Sequence, residues 1–184
     1  MAITDPSSIT PSQKKKLAEI VNDPVKWAQA FLTTWNGDKK CNTPWTARWY
    51  QAEMLRDNSL KKVYRCGRRT GKTETMVVEA LYQTYKNPNY RVLIITPYIN
   101  QVDLAFKRIN ELVDASPAIK ARVVRQVKNP YQLEFSNHSS ILGFTTGASS
   151  GSGGASIRGQ RADLLILDEL DYMNDADFDS VMII

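Results

Sequence analysis

Between a short apolar run, Val63-Tyr64-Arg65-Cys66, and a helix-forming stretch from Thr73 to Lys86 stands the segment Cys66-Gly67-Arg68-Arg69-Thr70-Gly71-Lys72-Thr73. No other feature limits the fold of this chain so narrowly. The segment matches the phosphate loop G-x-x-x-x-G-K-[ST] at every fixed position but the first, where Cys66 replaces glycine. Such a loop works where a strand leads into a helix. Gly71 lets the backbone turn so that amide N–H groups point inward, and the helix starting near Lys72 adds its positive dipole end. Lys72 then reaches the β- and γ-phosphates, and the Thr73 hydroxyl suits Mg²⁺. On this reading Cys66, Gly67, Arg68, Arg69, Thr70, Gly71, Lys72 and Thr73 form an ATP-binding loop. A G-K-T triplet also arises by chance in loops, and the strand and helix around this one argue against that origin.

The rest of the chain supplies the matching architecture. Arg91 to Thr96 is a continuous apolar run of the kind buried on both faces of a parallel sheet, so residues 63–96 read as strand, loop, helix and strand. A helix from about Asn100 places Val102, Ala105, Phe106, Ile109, Leu112 and Val113 on one face and ends near Ser116-Pro117. Three short strands follow, Arg122–Val127, Gln132–Phe135 and Ser140–Thr145, read as antiparallel. Five of the nine glycines lie between Gly147 and Gly159, which predicts a mobile loop, and Leu164 to Leu167 returns to a buried strand. Alternating strands and helices without internal repeats imply a three-layer α/β fold with a mostly parallel sheet. Ahead of it, Thr10-Pro11-Ser12-Gln13 and Asp23-Pro24 are helix starts. Trp27, Phe31 and Trp35, four residues apart, predict one buried aromatic face on the second helix. A third helix carries Trp49, Tyr50, Gln51, Met54 and Leu55.

The apolar strand Leu164–Leu167 delivers Asp168 and Glu169 to its C-terminal end, the edge where open α/β sheets bind ligands. Asp168 is the candidate Mg²⁺ ligand and Glu169 the candidate group that polarises an attacking water. Acidic strand ends are common by themselves. About a hundred residues after a phosphate loop, this one makes an ATP site the default reading. Arg68 or Arg69 could set a guanidinium beside the γ-phosphate, the arginine-finger role, or both face solvent or DNA. Arg158, at the end of the glycine-rich loop, is a second finger candidate. Gln51 is a candidate adenine reader, because its amide can pair with both an amino group and a ring nitrogen; helix-surface glutamines are equally ordinary. Thr96-Pro97-Tyr98 ends a strand at the same edge. Lys120, Arg122, Arg125 and Lys128 suit either a solvated face or DNA, and His138 sits in a turn with no assigned role.

Composition narrows the partners and the compartment. The charge of +5, from 24 basic and 19 acidic residues, fits a nucleic-acid partner without requiring one. Cys41, Cys66 and the single His138 lack the spacing of a zinc site or a disulfide framework. No apolar run approaches the ~20 residues of a membrane span, and the N-terminus has no secretory signal pattern. These features predict a cytoplasmic protein, with no membrane partner.

The combination C-G-R-R-T-G-K-T, the upstream Gln51 in Trp49-Tyr50-Gln51, the strand end Thr96-Pro97, and a glycine-rich loop with Arg158-Gly159 before L-L-I-L-D-E resembles the large terminase subunit of tailed bacteriophages. The likeness is to its N-terminal ATPase domain and spans roughly residues 45–173. It implies an ASCE-type P-loop NTPase with N-terminal helices, divided into a helical segment 1–44 and an ATPase core 45–184. The implied activity is a motor that hydrolyses ATP with Mg²⁺ to drive double-stranded DNA into a procapsid in the host cytoplasm. Its implied partners are the portal protein, the small terminase subunit and copies of itself in a ring. Carried over, Lys72 and Thr73 hold phosphate and Mg²⁺, Asp168 holds the metal, Glu169 is the catalytic carboxylate, and Arg68 or Arg158 is the finger. The family continues past the acidic strand with a coupling strand and a nuclease domain, whereas this chain ends at Val181-Met182-Ile183-Ile184. The resemblance therefore implies a core incomplete at its C-terminus, from a fragment or a split gene product, without nuclease activity. Two other readings stay open. Asp168-Glu169-Leu170-Asp171 also fits a DExD-type helicase or translocase of the second superfamily, and a nucleotide-binding interaction module without turnover would suit an early stop.

Overall fold

The computed structural model describes residues 10–146, 157 and 159–182. Helix α1 (Pro11–Asn22) starts from a reciprocal cap: the Gln13 N–H donates to Thr10 Oγ1 at 3.3 Å, and the Thr10 N–H donates to Gln13 Oε1 at 2.8 Å. Helix α2 (Pro24–Phe31) is capped by Asp23, whose Oδ1 accepts from the N–H groups of Val25 and Lys26. These backbone bonds, together with the hydrogen bonds and charge of Arg56, hold the Asp23 carboxyl below its usual range against the opposing effect of burial.

The aromatic face expected at Trp27, Phe31 and Trp35 breaks after Phe31. Leu32 is already extended, and residues 33–44 form a hairpin of β1 (Thr33–Asn36) and β2 (Cys41–Pro44), paired antiparallel. The cause is tertiary. The Thr33 N–H donates to Ser116 Oγ at 2.8 Å and the Thr33 hydroxyl to the Ala115 carbonyl, which pulls the β-branched pair Thr33-Thr34 out of the helix. Trp27 stays fully buried, while Trp35 rides on the hairpin, 63% exposed.

Five strands form the main sheet in the order β4-β5-β6-β3-β7: β3 (Arg91–Thr96), β4 (Val123–Val127), β5 (Gln132–Phe135), β6 (Ser140–Thr145) and β7 (Leu164–Leu167). β3 lies between β6 and β7 and is parallel to both, whereas β4, β5 and β6 make an antiparallel meander as expected. The alternation within β3 defines the two faces. Val92 and Ile94 join a core built by α2, α3 (Trp49–Arg56), α4 (Lys72–Lys86) and α5 (Ile99–Ala115). Leu93 and Ile95 pack on the opposite face with Ile157, Met173 and Val181, the last from the helix Asp175–Met182, which the sequence pattern did not suggest. The chain is thus a mixed α/β protein with its central sheet flanked by helices. None of the described helices is long and apolar enough to cross a membrane.

Helix α5 comes so close to β6 that a Cβ built on Gly143 would lie 2.6 Å from both Phe106 Cε2 and Val102 Cγ1. Neither neighbour can retreat, because both belong to the buried core. Gly143→Ala should therefore destabilise the fold by about 1–3 kcal/mol despite the better strand propensity of alanine, a loss read from urea or thermal unfolding. An unchanged midpoint would mean that α5 sits farther from the sheet.

The expected strand Val63–Cys66 does not form: the run belongs to no sheet of the described residues, and Val63 is 89% exposed. It is held by side chains instead: Lys62 pairs with Glu79 of α4 at 2.8 Å, and the Tyr64 hydroxyl bonds Asp57 Oδ2 at 3.0 Å. Burial and the Asp57 carboxylate push the Tyr64 phenol upward. The β-favouring residues are present, but no strand of the described residues lies alongside to complete a ladder. The expected glycine-rich loop falls mainly on residues 147–156 and 158, outside those described.

Candidate nucleotide site

Residues 67–71 turn from that unpaired segment into α4, which begins at Lys72. Two left-handed residues make this turn, Arg69 at φ 60° and Gly71 at φ 83°. Glycine is required at 71 twice over, because an added Cβ would also meet Gln51 Nε2 at 2.8 Å. The Thr70 hydroxyl closes the loop by donating to the Gly67 carbonyl at 2.9 Å. With Gly71 as N-cap and no side-chain cap bond, the first N–H groups of a 15-residue helix are left for a ligand, together with its dipole.

The second half of the site arrives on β7. Parallel pairing with β3 extends to the Asp168 N–H, which donates to the Ile95 carbonyl at 3.1 Å and so fixes Asp168 at the sheet edge, only 5% exposed. Glu169 takes a left-handed conformation, φ 55°, its N–H donating to Asp168 Oδ1 at 2.9 Å, and it leads into a 3-10 turn, Leu170–Tyr172. A non-glycine residue held there stores on the order of 1–3 kcal/mol of strain, the kind of cost met at functional sites.

The two halves meet at Lys72. Its Nζ lies 2.9 Å from Asp168 Oδ1 and 3.0 Å from Glu169 Oε1, across 97 residues of chain from Glu169. Burial lowers the lysine's proton affinity, but hydrogen bonds and charge from the two carboxylates outweigh it, so its pKa lies above the ordinary lysine value. The ammonium is thus fully charged and already desolvated on one side.

Thr73 stands half-buried in the first turn of α4. Its hydroxyl and the Asp168 carboxylate are hard oxygen donors of the type Mg²⁺ takes, one or two from protein with phosphate and water completing the shell. Among the described residues there is no cluster of three or more His, Cys, Asp or Glu side chains able to hold a metal by themselves, so the donor set fits a cation carried by phosphates. Next to Thr73, Glu74 accepts from Trp45 Nε1 at 2.7 Å and from Arg108 of α5, which also reaches Thr34 Oγ1 and Glu111. This network anchors the loop-bearing helix to α5 and the hairpin, and its only local trace in the sequence is an acidic residue in a first helical turn.

Other sequence candidates land differently. Arg68 and Arg69 are exposed on the loop, away from the Lys72 cluster's ion pairs, and Cys66 is a half-buried free thiol. Gln51 is 5% exposed; its Oε1 accepts from the Arg48 N–H at 3.0 Å and its Nε2 donates to the Gly71 carbonyl at 3.3 Å, so its amide is turned to the loop backbone. Arg158 lies outside the described residues. Thr96 is buried at the end of β3, and the ring of Tyr98 lies 6.3 Å from that of Tyr172 beyond Glu169. Of the basic stretch, Lys120 pairs with Asp114, Lys128 with Asp103, and Arg122 covers the Tyr85 ring at 4.0 Å, which leaves Arg125 without an ion pair among the described residues. His138 occupies a turn between β5 and β6 at φ 64°.

Comparison with solved structures finds the ATPase domain of the Thermus phage P74-26 large terminase at TM-score 0.59 and 21% identity, covering 76% of this chain and 61% of that one. An arginine-to-alanine mutant of the same domain gives TM-score 0.61 and 20% identity over 76% and 62%. This chain therefore has the fold of a terminase ATPase domain and spans about six tenths of its length. A search of curated proteins returns no match. The model of the DEAD/DEAH box helicase family matches residues 66–183, from the first residue of the loop to beyond the acidic turn. That stretch covers most of the chain and carries both halves of the Lys72 cluster, and the chain belongs to the DEAD/DEAH box helicase family.

Proposed function

We propose that this chain is the ATPase motor part of a phage-type large terminase, coupling ATP hydrolysis to movement of double-stranded DNA into a procapsid. The observation that carries the reading is the convergence of Lys72 with Asp168 and Glu169 within 3.0 Å, at the junction of loop and sheet edge in a terminase-like fold. In the proposed site, residues 67–73 wrap the phosphates and Lys72 leaves the carboxylates for the β- and γ-phosphate oxygens. Thr73 and Asp168 hold Mg²⁺, which when bound neutralises charge on the transferring phosphoryl group. Glu169, released by Lys72, orients a water and accepts its proton. Arg68, exposed on the loop, is the finger candidate within the described residues, with Arg158 the second. The proposal takes residues 1–44 as an appended segment on a 45–184 core, acting in the host cytoplasm with portal, small subunit and further copies of the chain in a ring.

The family model favours a second reading, a duplex-unwinding ATPase. One experiment separates them: steady-state ATP hydrolysis with and without blunt duplex DNA, alongside displacement of a labelled strand. The packaging reading expects hydrolysis stimulated several-fold by duplex with no strand displaced. ATP-dependent displacement would replace it with the helicase reading, and saturable ATP binding without turnover in any condition would leave a nucleotide-gated interaction module.

A further inference from the structure

We infer that Tyr50, supported by Arg48, is a positioning residue of the phosphate loop; the inference rests on the phosphate-binding reading above. For loop amides to face a phosphate, the carbonyls of the same peptide units must face away, since N–H and C=O of a trans peptide point in opposite directions. Those carbonyls need partners, and α3 supplies one to Thr70 and one to Gly71. The Tyr50 hydroxyl donates to the Thr70 carbonyl at 2.7 Å. Arg48 Nη1 donates to that hydroxyl at 2.8 Å and stands 3.5 Å from the same carbonyl. Gln51 Nε2 donates to the next carbonyl, that of Gly71, at 3.3 Å, alongside the Thr75 N–H at 3.0 Å and the Thr75 hydroxyl at 3.1 Å. The peptide planes that carry the N–H groups of Gly71 and Lys72 are thereby pinned from behind.

Tyr50 is suited to this by its surroundings. Its ring lies edge-on to Trp49, centroids 5.5 Å apart at 85°, so the hydroxyl is aimed by packing as well as by Arg48. Arg48 in turn donates through one nitrogen to both oxygens, which polarises the hydroxyl toward the carbonyl. Neither residue has a polar partner in the Lys72 cluster, so any effect on nucleotide must pass through the loop. Tyr50 would act on the phosphates and be indifferent to the base.

The test is Tyr50→Phe, which keeps the ring and removes the bond. Calorimetry should show affinity for inorganic tripolyphosphate, ATP and GTP all weakened by about fivefold, the worth of one net hydrogen bond, with the melting temperature held within a few degrees. Arg48→Met should give a smaller loss, and the double variant less than the sum of the two, because both act through one carbonyl; full additivity would overturn that coupling. Unchanged tripolyphosphate affinity, or a loss confined to ATP, would overturn the inference, the latter assigning α3 to base reading. Lowered thermal stability with intact affinity in both variants would make the bond purely structural and also overturn it. Failure of the unaltered protein to bind ATP or tripolyphosphate would be a different failure, that of the phosphate site itself.

Discussion

Lys72→Ala should remove tight ATP binding altogether, with affinity falling about 10²- to 10³-fold in a direct titration with a fluorescent or calorimetric readout. The size follows from what the side chain does. Its ammonium is the one charge of the described loop already turned into the site, held by Asp168 at 2.9 Å and Glu169 at 3.0 Å. Charge-assisted bonds to phosphate are about twice as strong as neutral ones, and their loss leaves the phosphates facing two carboxylates. Those carboxylates also supply the control for folding. In the nucleotide-free protein Lys72 occupies the position of a counter-cation, so the alanine variant should be less stable without ligand and more strongly stabilised by millimolar Mn²⁺ alone than the unaltered chain. A variant that loses nucleotide but gains this response is folded, and its loss is local. Retained ATP affinity would mean that the phosphates lie elsewhere than over this lysine.

Which parts of this site a reader of the sequence can see depends on how local the determinants are. Arg91–Thr96 reads as a buried strand because a parallel strand covered on both faces is a nearly continuous apolar run, a signature carried within six residues, whereas Leu164–Leu167 has the same composition but lies at the end of the described sheet with only Ile166 buried. The phosphate loop is local too, since a turn into a helix needs Gly71 and a lysine beside it. The misreadings share a different cause. Trp27, Phe31 and Trp35 have helical spacing, yet the helix is ended by bonds from Thr33 to Ala115 and Ser116, some eighty residues away. Val63–Cys66 has the composition of a strand, and composition cannot report whether a neighbour is available to pair.

Gln51 marks the boundary most sharply. An amide that can pair with adenine can equally pair with a backbone carbonyl, and only the approach of α3 to Gly71 shows where the group points. The placement of Tyr50 and Arg48 against the loop is illegible in the sequence for the same reason: their partner, the Thr70 carbonyl, is a backbone atom without sequence identity. The Glu74–Arg108–Trp45 network joins three separate elements and leaves no periodic trace.

Glu169→Gln should separate binding from chemistry. Glutamine keeps the shape of glutamate and can still accept from Lys72 through its Oε1, while Asp168 retains its own ion pair with that lysine and its bond from the backbone N–H of residue 169. ATP affinity should therefore stay within about threefold. Hydrolysis should fall by about 10²- to 10⁴-fold, the usual worth of a positioned general base, because an amide cannot take the proton of an attacking water. The position tolerates the change structurally: φ 55° is already paid by the backbone of a non-glycine residue, and the substitution leaves the backbone alone. The comparison with Lys72→Ala makes the test sharp. If both variants lost ATP equally, Glu169 would be part of the binding surface and the base would have to be sought elsewhere. If Glu169→Gln hydrolysed normally, the ion pair with Lys72 would be a feature of the nucleotide-free state alone. Intact binding with absent turnover fixes Glu169 as the group that Lys72 shields until a phosphate draws the lysine away.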